Sequence, residues 1–187
     1  MELEKEVRFS VSDDVWQKAL SISQKYSANI EMLDIVMGAY GRESVLKTGR
    51  GFRIRQKPNE ITLEVKNKID GGWQEESIAI DSISRGISFL TLAGLSPYMF
   101  VQRYREIRLY KGLKIFFDDV KLLGKFIEIE YQDSLNAAQE LEEFCTNCGI
   151  TSSPQPLYGD IINNKYDTDP VFRQAFDDYL NELINNN

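Results

Sequence analysis

Apolar and polar residues alternate with a period of two in several short stretches of this chain, the spacing of strands that bury one face. In FRIRQK, Phe52, Ile54 and Gln56 fall on one face and Arg53 and Arg55 on the other. In ITLEVKNK, Ile61, Leu63 and Val65 alternate with Thr62, Glu64 and Lys66. Ile127 and Ile129 alternate with Glu128 and Glu130 in KFIEIEY, and the opening MELEKEVRF places Glu2, Glu4, Glu6 and Arg8 at every second position. VQRYREIR is less regular, with Arg103 and Arg105 set between Gln102, Tyr104 and Glu106.

Turn chemistry separates these stretches. Pro58-Asn59-Glu60, Asp70-Gly71-Gly72 and Lys111-Gly112 each read as a hairpin turn, and Leu123-Gly124 leads into KFIEIEY. IEMLDIVMGAYG reads as extended, followed by a polar loop through Gly49 and Gly51. VSDDVWQKALSISQKY has the helical period, with Ser12 as N-cap, Asp13 and Asp14 at the positive end of the dipole, and Val11 stapled to Trp16. Further helices are predicted over Ser82–Ala93, from Ser134 to about Asn147, and over about 169–184, where Phe172, Phe176, Tyr179 and Leu183 share a face and the tail 185–187 frays. The sum is an α+β chain forming a single domain over residues 1–187, with about eight mostly antiparallel strands in a barrel-like sheet and helices outside.

Helices must cover apolar sheet faces. If they coat the outside of a closed sheet, the charged faces line its interior as a polar tunnel. On any one strand, cross-strand ion pairs on a solvated face explain the pattern as well. Five strands with the same chemistry favour the interior.

Composition narrows the chemistry. Of 187 residues, 42% are hydrophobic and 27% charged, as in ordinary soluble proteins. Neither a membrane-length apolar run nor a signal-peptide pattern is present, so a cytoplasmic location is expected, with no membrane partner. There is no histidine, which removes Ser-His and Cys-His nucleophile pairs and any histidine-ligated metal. Cys145 and Cys148 form one C-x-x-C without the two further ligands a zinc site needs, and read as two reduced thiols on a helix, with a redox pair as the alternative. Oxygen donors alone favour hard cations.

The net charge of −7 argues against nucleic acid, yet it is segregated. Residues 47–68 hold seven basic side chains against two acidic, and 101–125 seven against three, whereas 126 onward has twelve acidic and two basic. Arg53, Arg55, Lys66, Arg103 and Arg105 gathered in one place call for a polyanion. Carboxylates from the first and last strands can hold divalent cations that bridge to it, which together describes a phosphoryl-transfer site.

Taken together, E-x-E-x-R at Glu4, Glu6 and Arg8, then FRIR, ITLEVK, VQRYR and IFFDDVKLLGKFIEIE, resemble in order the motifs of the CYTH superfamily, the triphosphate tunnel metalloenzymes. The likeness runs from Glu4 to about Tyr158 and is nearest the class IV adenylate cyclase-like branch. It implies an eight-stranded antiparallel tunnel barrel, with Glu4, Glu6, Glu128 and Glu130 binding Mg2+ or Mn2+. Arg8, Arg53, Arg55, Lys66, Arg103 and Arg105 would grip a small-molecule triphosphate. Asp118 and Lys66 are the implied catalytic pair, Glu64 supports Lys66 from the same face, and Tyr158 closes one mouth or packs as a surface aromatic. Arg8 and Arg103 stand where lysine is common, and arginine keeps the charge but cannot serve as a base. No His-Phe element precedes Glu4, which tilts the expectation to phosphoanhydride hydrolysis. A class IV adenylate cyclase is the alternative, and a non-catalytic polyphosphate- or nucleotide-binding module the third. The oligomeric state, homodimer included, stays open.

Overall fold

The computed structural model of the chain describes residues 4–69, 72–132 and 134–186. In chain order the elements are β1 (Glu4–Ser10), α1 (Asp13–Ile22), β2 (Gln24–Lys25), β3 (Ile30–Gly38), a 3-10 turn (Gly41–Glu43), α2 (Ser44–Thr48), β4 (Arg50–Lys57), β5 (Glu60–Ile69), β6 (Gly72–Ala79), α3 (Ile83–Leu92), β7 (Ser96–Tyr110), β8 (Leu113–Val120), β9 (Gly124–Gln132), α4 (Leu135–Cys148), α5 (Tyr158–Thr168) and α6 (Pro170–Asn185). Among the described residues the fold is α+β with an antiparallel sheet of nine strands: about eight were expected, and the two-residue β2 is too short to carry a pattern. The predicted turn at Asp70-Gly71, like Glu2, lies outside the described residues. Helices α2 and α5 are additions to the sequence reading. Among the described residues no helix is long and apolar enough to cross a membrane.

The contacts divide the chain into two compact units, one taking in residues up to 31 together with 103–161, the other 32–102 together with 162 onward. Strand β7 belongs to both, changing unit between Gln102 and Arg103.

In the first unit the strands run in the order β1-β9-β8-β7, with β2 paired to β7. Alternation sends Phe9, Leu113, Ile115, Phe117, Ile127 and Ile129 to one face, where they form a core with Ala19 of α1 and with Phe144 and Cys148 of α4. Trp16 meets Phe117 edge to face at 5.0 Å. Each fully buried Ile or Phe here is worth roughly 1.5–3 kcal/mol. Because two helices take the apolar face, the charged positions fall on the opposite one. Arg108 explains why β7 alternates poorly. On the helix side it donates to Leu20 O (3.0 Å) and Ser23 O (2.6 Å), supplying donors that the last turn of α1 lacks.

In the second unit β3, β4, β5 and β6 are consecutive neighbours. Leu33, Ile35, Met37 and Ile54 are buried on one face, and α3 contributes buried Ile83 and Leu90. Gly86 lets α3 approach closely, since a Cβ there would lie 2.9 Å from Ile54 Cδ1 and 2.8 Å from Ile80 Cδ1. Helix α6 starts at Asp169, whose side chain accepts from Val171 N and Phe172 N, and buries Phe172, Phe176 and Leu180. Phe176 stacks on Phe100 at 4.6 Å between ring centroids.

Charged sheet faces as the candidate active site

On the first unit's charged face, register sets Glu6 opposite Glu130, Arg8 opposite Glu128, and Arg105 opposite Asp118. Arg8 donates from Nε (3.0 Å) and Nη2 (2.5 Å) to Glu128 Oε2, pairs with Glu6, and donates from Nη1 to the Pro156 carbonyl (3.0 Å). Arg105 grips Asp118 side-on, Nε to Oδ1 at 2.7 Å and Nη2 to Oδ2 at 2.6 Å, and reaches Glu128 Oε1 at 3.1 Å. Arg103 Nε lies 3.8 Å from Asp118 Oδ2. Lys114 pairs with Glu130 at 2.9 Å.

Around Asp118 and Glu128 these are not solvated surface pairs, whereas the side chains of Glu6 and Lys114 are exposed by 41% and 44%. Asp118 is 0% exposed, Glu128 4%, and Arg8 and Arg103 6% each. Burial lowers the Arg105 pKa, but the hydrogen-bonded Asp118 carboxylate and nearby Glu128 outweigh it and push the guanidinium further up. Burial, then the neighbouring Glu128 carboxylate, hold Glu6 above the usual glutamate range in spite of Arg8.

Tyr158, the first residue of α5, is a buried ring and not a surface aromatic. It is 7% exposed, donates its hydroxyl to Asp118 Oδ2 at 2.8 Å, lies under the Arg8 guanidinium at 4.3 Å and packs edge-on against Phe126. Burial and the carboxylates of Asp118 and Glu128 push its pKa far up, so the phenol stays protonated.

The side chain of Glu4 lies outside the described residues. Among the described residues no three acidic side chains converge as a ready metal cluster. The donor set nonetheless suits a hard cation. Glu6 stands directly opposite Glu130, and like charges so opposed repel. Glu6 is also raised by Glu128, a strain that an oxygen-bound divalent cation would relieve.

The second unit carries a similar face. Arg53 donates from Nε to Glu64 Oε2 at 2.7 Å and also pairs with it through Nη2. Arg55 grips Asp34 side-on, Nε to Oδ1 at 2.6 Å and Nη2 to Oδ2 at 2.9 Å. Thr62 donates to Glu64 Oε1 (2.9 Å), and Lys66 pairs with Glu75 at 2.8 Å. The arginines expected to form an uncompensated cationic cluster therefore each meet carboxylates of their own unit. Asp34 and Glu75 escaped the sequence reading. An acid flanked by Met32, Leu33, Ile35 and Val36 at the centre of IEMLDIVMG was the available signal for Asp34.

The three side-on arginines share one arrangement. Arg53, Arg55 and Arg105 spend Nε and Nη2 on a carboxylate, while among the described residues Nη1 makes no hydrogen bond. Arg8 differs, since all three of its nitrogens are engaged.

The profile of the CYTH domain family matches residues 2–147. No curated protein matches the sequence. Among solved structures, the chain is similar to the PH1819 protein of Pyrococcus horikoshii OT3 (TM-score 0.67, 24% identity, 87% of this chain and 99% of that one). It is also similar to a provisionally assigned adenylate cyclase of Vibrio parahaemolyticus (TM-score 0.61, 17% identity, covering 87% and 98%). A third is the Hippeastrum protein HpAC1, provisionally an adenylyl cyclase and described as having a dominant triphosphatase activity (TM-score 0.59, 16% identity, covering 94% and 96%). At these identities the likeness is one of fold.

Proposed function

The chain belongs to the CYTH domain family, and from that premise we propose that it is a metal-dependent enzyme that hydrolyses a phosphoanhydride bond of a small-molecule triphosphate, a nucleoside triphosphate or tripolyphosphate. The observation that carries this reading is the buried ion network on the charged sheet face of the first unit. Charges buried to this depth cost more than a well-packed apolar face would, so a fold that needed only stability gains nothing from them.

Arg105, clamped by Asp118, offers its Nη1 edge to a phosphate oxygen, and Arg103 adds positive charge beside the same carboxylate. Arg53, Arg55 and Lys66 are the phosphate-binding residues of the second unit's face. Lys66 is a point charge on a flexible stem, 40% exposed at the side chain, suited to follow a moving phosphoryl group. Asp118, held by Arg105 and Tyr158, has both oxygens already accepting hydrogen bonds. It orients the cationic groups around it. Glu6, Glu128 and Glu130, with Glu4, would hold Mg2+ or Mn2+, which when bound supplies charge neutralisation and polarisation of the phosphoanhydride. Arg8 keeps Glu6 and Glu128 together on the face.

The test is orthophosphate release from tripolyphosphate and from nucleoside triphosphates with added Mg2+ or Mn2+, for the unmutated chain and for Glu128→Gln. Release that stops on chelation and in the variant supports the reading. Release indifferent to both contradicts it.

A further inference from the structure

We propose that Asp34 is a positioning residue that aims a phosphate-binding arginine, Arg55. The proposal rests on the triphosphate reading above.

Asp34 sits between Leu33 and Ile35 near the middle of β3 and is 3% exposed. A carboxylate there is costly to bury unless fully paired. It is paired side-on: both oxygens accept from Arg55, and its Oδ2 lies 3.8 Å from Arg53 Nη1. Glu64, 6% exposed, mirrors this, accepting from Arg53 and lying 3.8 Å from Arg55 Nη1. Two acids and two arginines close a circuit in which each guanidinium is fixed along its Nε–Nη2 edge. The Nη1 end of each is directed past the neighbouring acid at a distance too long for a hydrogen bond.

An anionic ligand cannot bind Asp34 itself, so Asp34 acts on the ligand through Arg55, the guanidinium whose fork it holds. Fixing the planar fork beforehand means a phosphate meets an oriented donor and not a long flexible side chain that must be ordered on binding. Asparagine would keep the shape of Asp34 but lose the charge and one of the two acceptors, freeing Arg55 to rotate.

The experiment is calorimetric titration of tripolyphosphate into the full chain and into D34N, R55A and the double variant, with a thermal melt of each. D34N alone should weaken binding about tenfold. In the R55A background it should cost less than about twofold, because the two residues act as one unit. Unchanged affinity in D34N, or penalties that simply add, overturns the assignment. Should D34N not fold, the Arg55 Nε–H resonance of the unmutated protein, assigned by its loss in R55K, decides the matter. A slowly exchanging resonance that holds its shift as tripolyphosphate saturates supports the proposal, and one that moves or vanishes shows phosphate taking the place of Asp34. Failure of the unmutated chain to bind tripolyphosphate counts against the triphosphate reading and this proposal together. Normal binding with additive variants counts against Asp34 alone.

Discussion

Arg8 and Glu128 face each other across β1 and β9, and the guanidinium donates both Nε and Nη2 to a single carboxylate oxygen, at 3.0 and 2.5 Å. Its remaining nitrogen is taken by the carbonyl of Pro156. Arg8 is thus bonded through every guanidinium nitrogen, whereas among the described residues Nη1 of Arg53, Arg55 and Arg105 makes no hydrogen bond. In this structure Arg8 clamps the acidic pair of Glu6 and Glu128.

Glu128→Gln removes the charge that Arg8 and Arg105 share while keeping the volume. Breaking a buried pair by neutralising one partner costs about 3–5 kcal/mol, and the amide oxygen returns part of it. Urea denaturation should show a loss on the order of 2–3 kcal/mol, accompanied by loss of turnover. Stability within about 0.5 kcal/mol of the unmutated chain would mean that the network is not held as described.

Glu6 gives the pH dependence a sign. Its folded-state pKa is raised, by burial first and then by Glu128, so the folded chain holds a proton at Glu6 more tightly than the unfolded chain. The stability this contributes is complete below the ordinary glutamate value of 4.5 and is lost as pH rises through the higher folded value. Glu6→Gln should therefore gain stability relative to the unmutated chain as pH climbs above 4.5, and added Mg2+ or Mn2+ should narrow the gap by stabilising only the chain that keeps Glu6. Parallel stability–pH curves for the two proteins would remove this account of Glu6.

Tyr158→Phe keeps the ring under Arg8 and deletes one hydrogen bond to a buried carboxylate. A bond to a charged group is worth about 1.5–3 kcal/mol, so the melting temperature should fall by several degrees. Tyr158→Ala should lose more, because the Phe126 contact and the cation–π contact go with the hydroxyl. Equal melting points for Phe and Tyr would show that the hydroxyl contributes nothing to holding Asp118.

The alternation of β1, β4, β5 and β9 was legible because each strand buries one face, and a period of two survives in the sequence when one face is apolar. Ser12 was legible as a cap, and Ser82, Ser134 and residue 169 as helix starts, for the same local reason; all four side chains accept from the first turn of their helices. Pairing across strands was not. Which acid meets which arginine depends on register, and nothing local says that Asp34 lies opposite Arg55 or Asp118 opposite Arg105. Helix α5 escaped because YGDIINNKYDT, with glycine, two adjacent asparagines and two aspartates, has little helical preference of its own. Buried Tyr158 and Ile162 give it tertiary contacts that propensity does not reveal.

The C-x-x-C pair gives a chemical prediction. Cys148 is fully buried in the first unit's core, and burial pushes its thiol up to about 12 and that of Cys145 up to about 11. Thiolate is the reactive form, so neither residue should be alkylated by iodoacetamide at neutral pH in the native protein, and both should react after denaturation. Rapid labelling of the native chain, read by intact-protein mass spectrometry, would revive the redox reading.

The central claim, that the charged faces serve hydrolysis of a triphosphate, is tested most directly by phosphorus NMR of the products formed from ATP and from tripolyphosphate with Mg2+ or Mn2+. The account predicts orthophosphate from the terminal phosphoryl group of both substrates. Cyclic AMP with pyrophosphate from ATP, or tight binding of both compounds without any product, would contradict it.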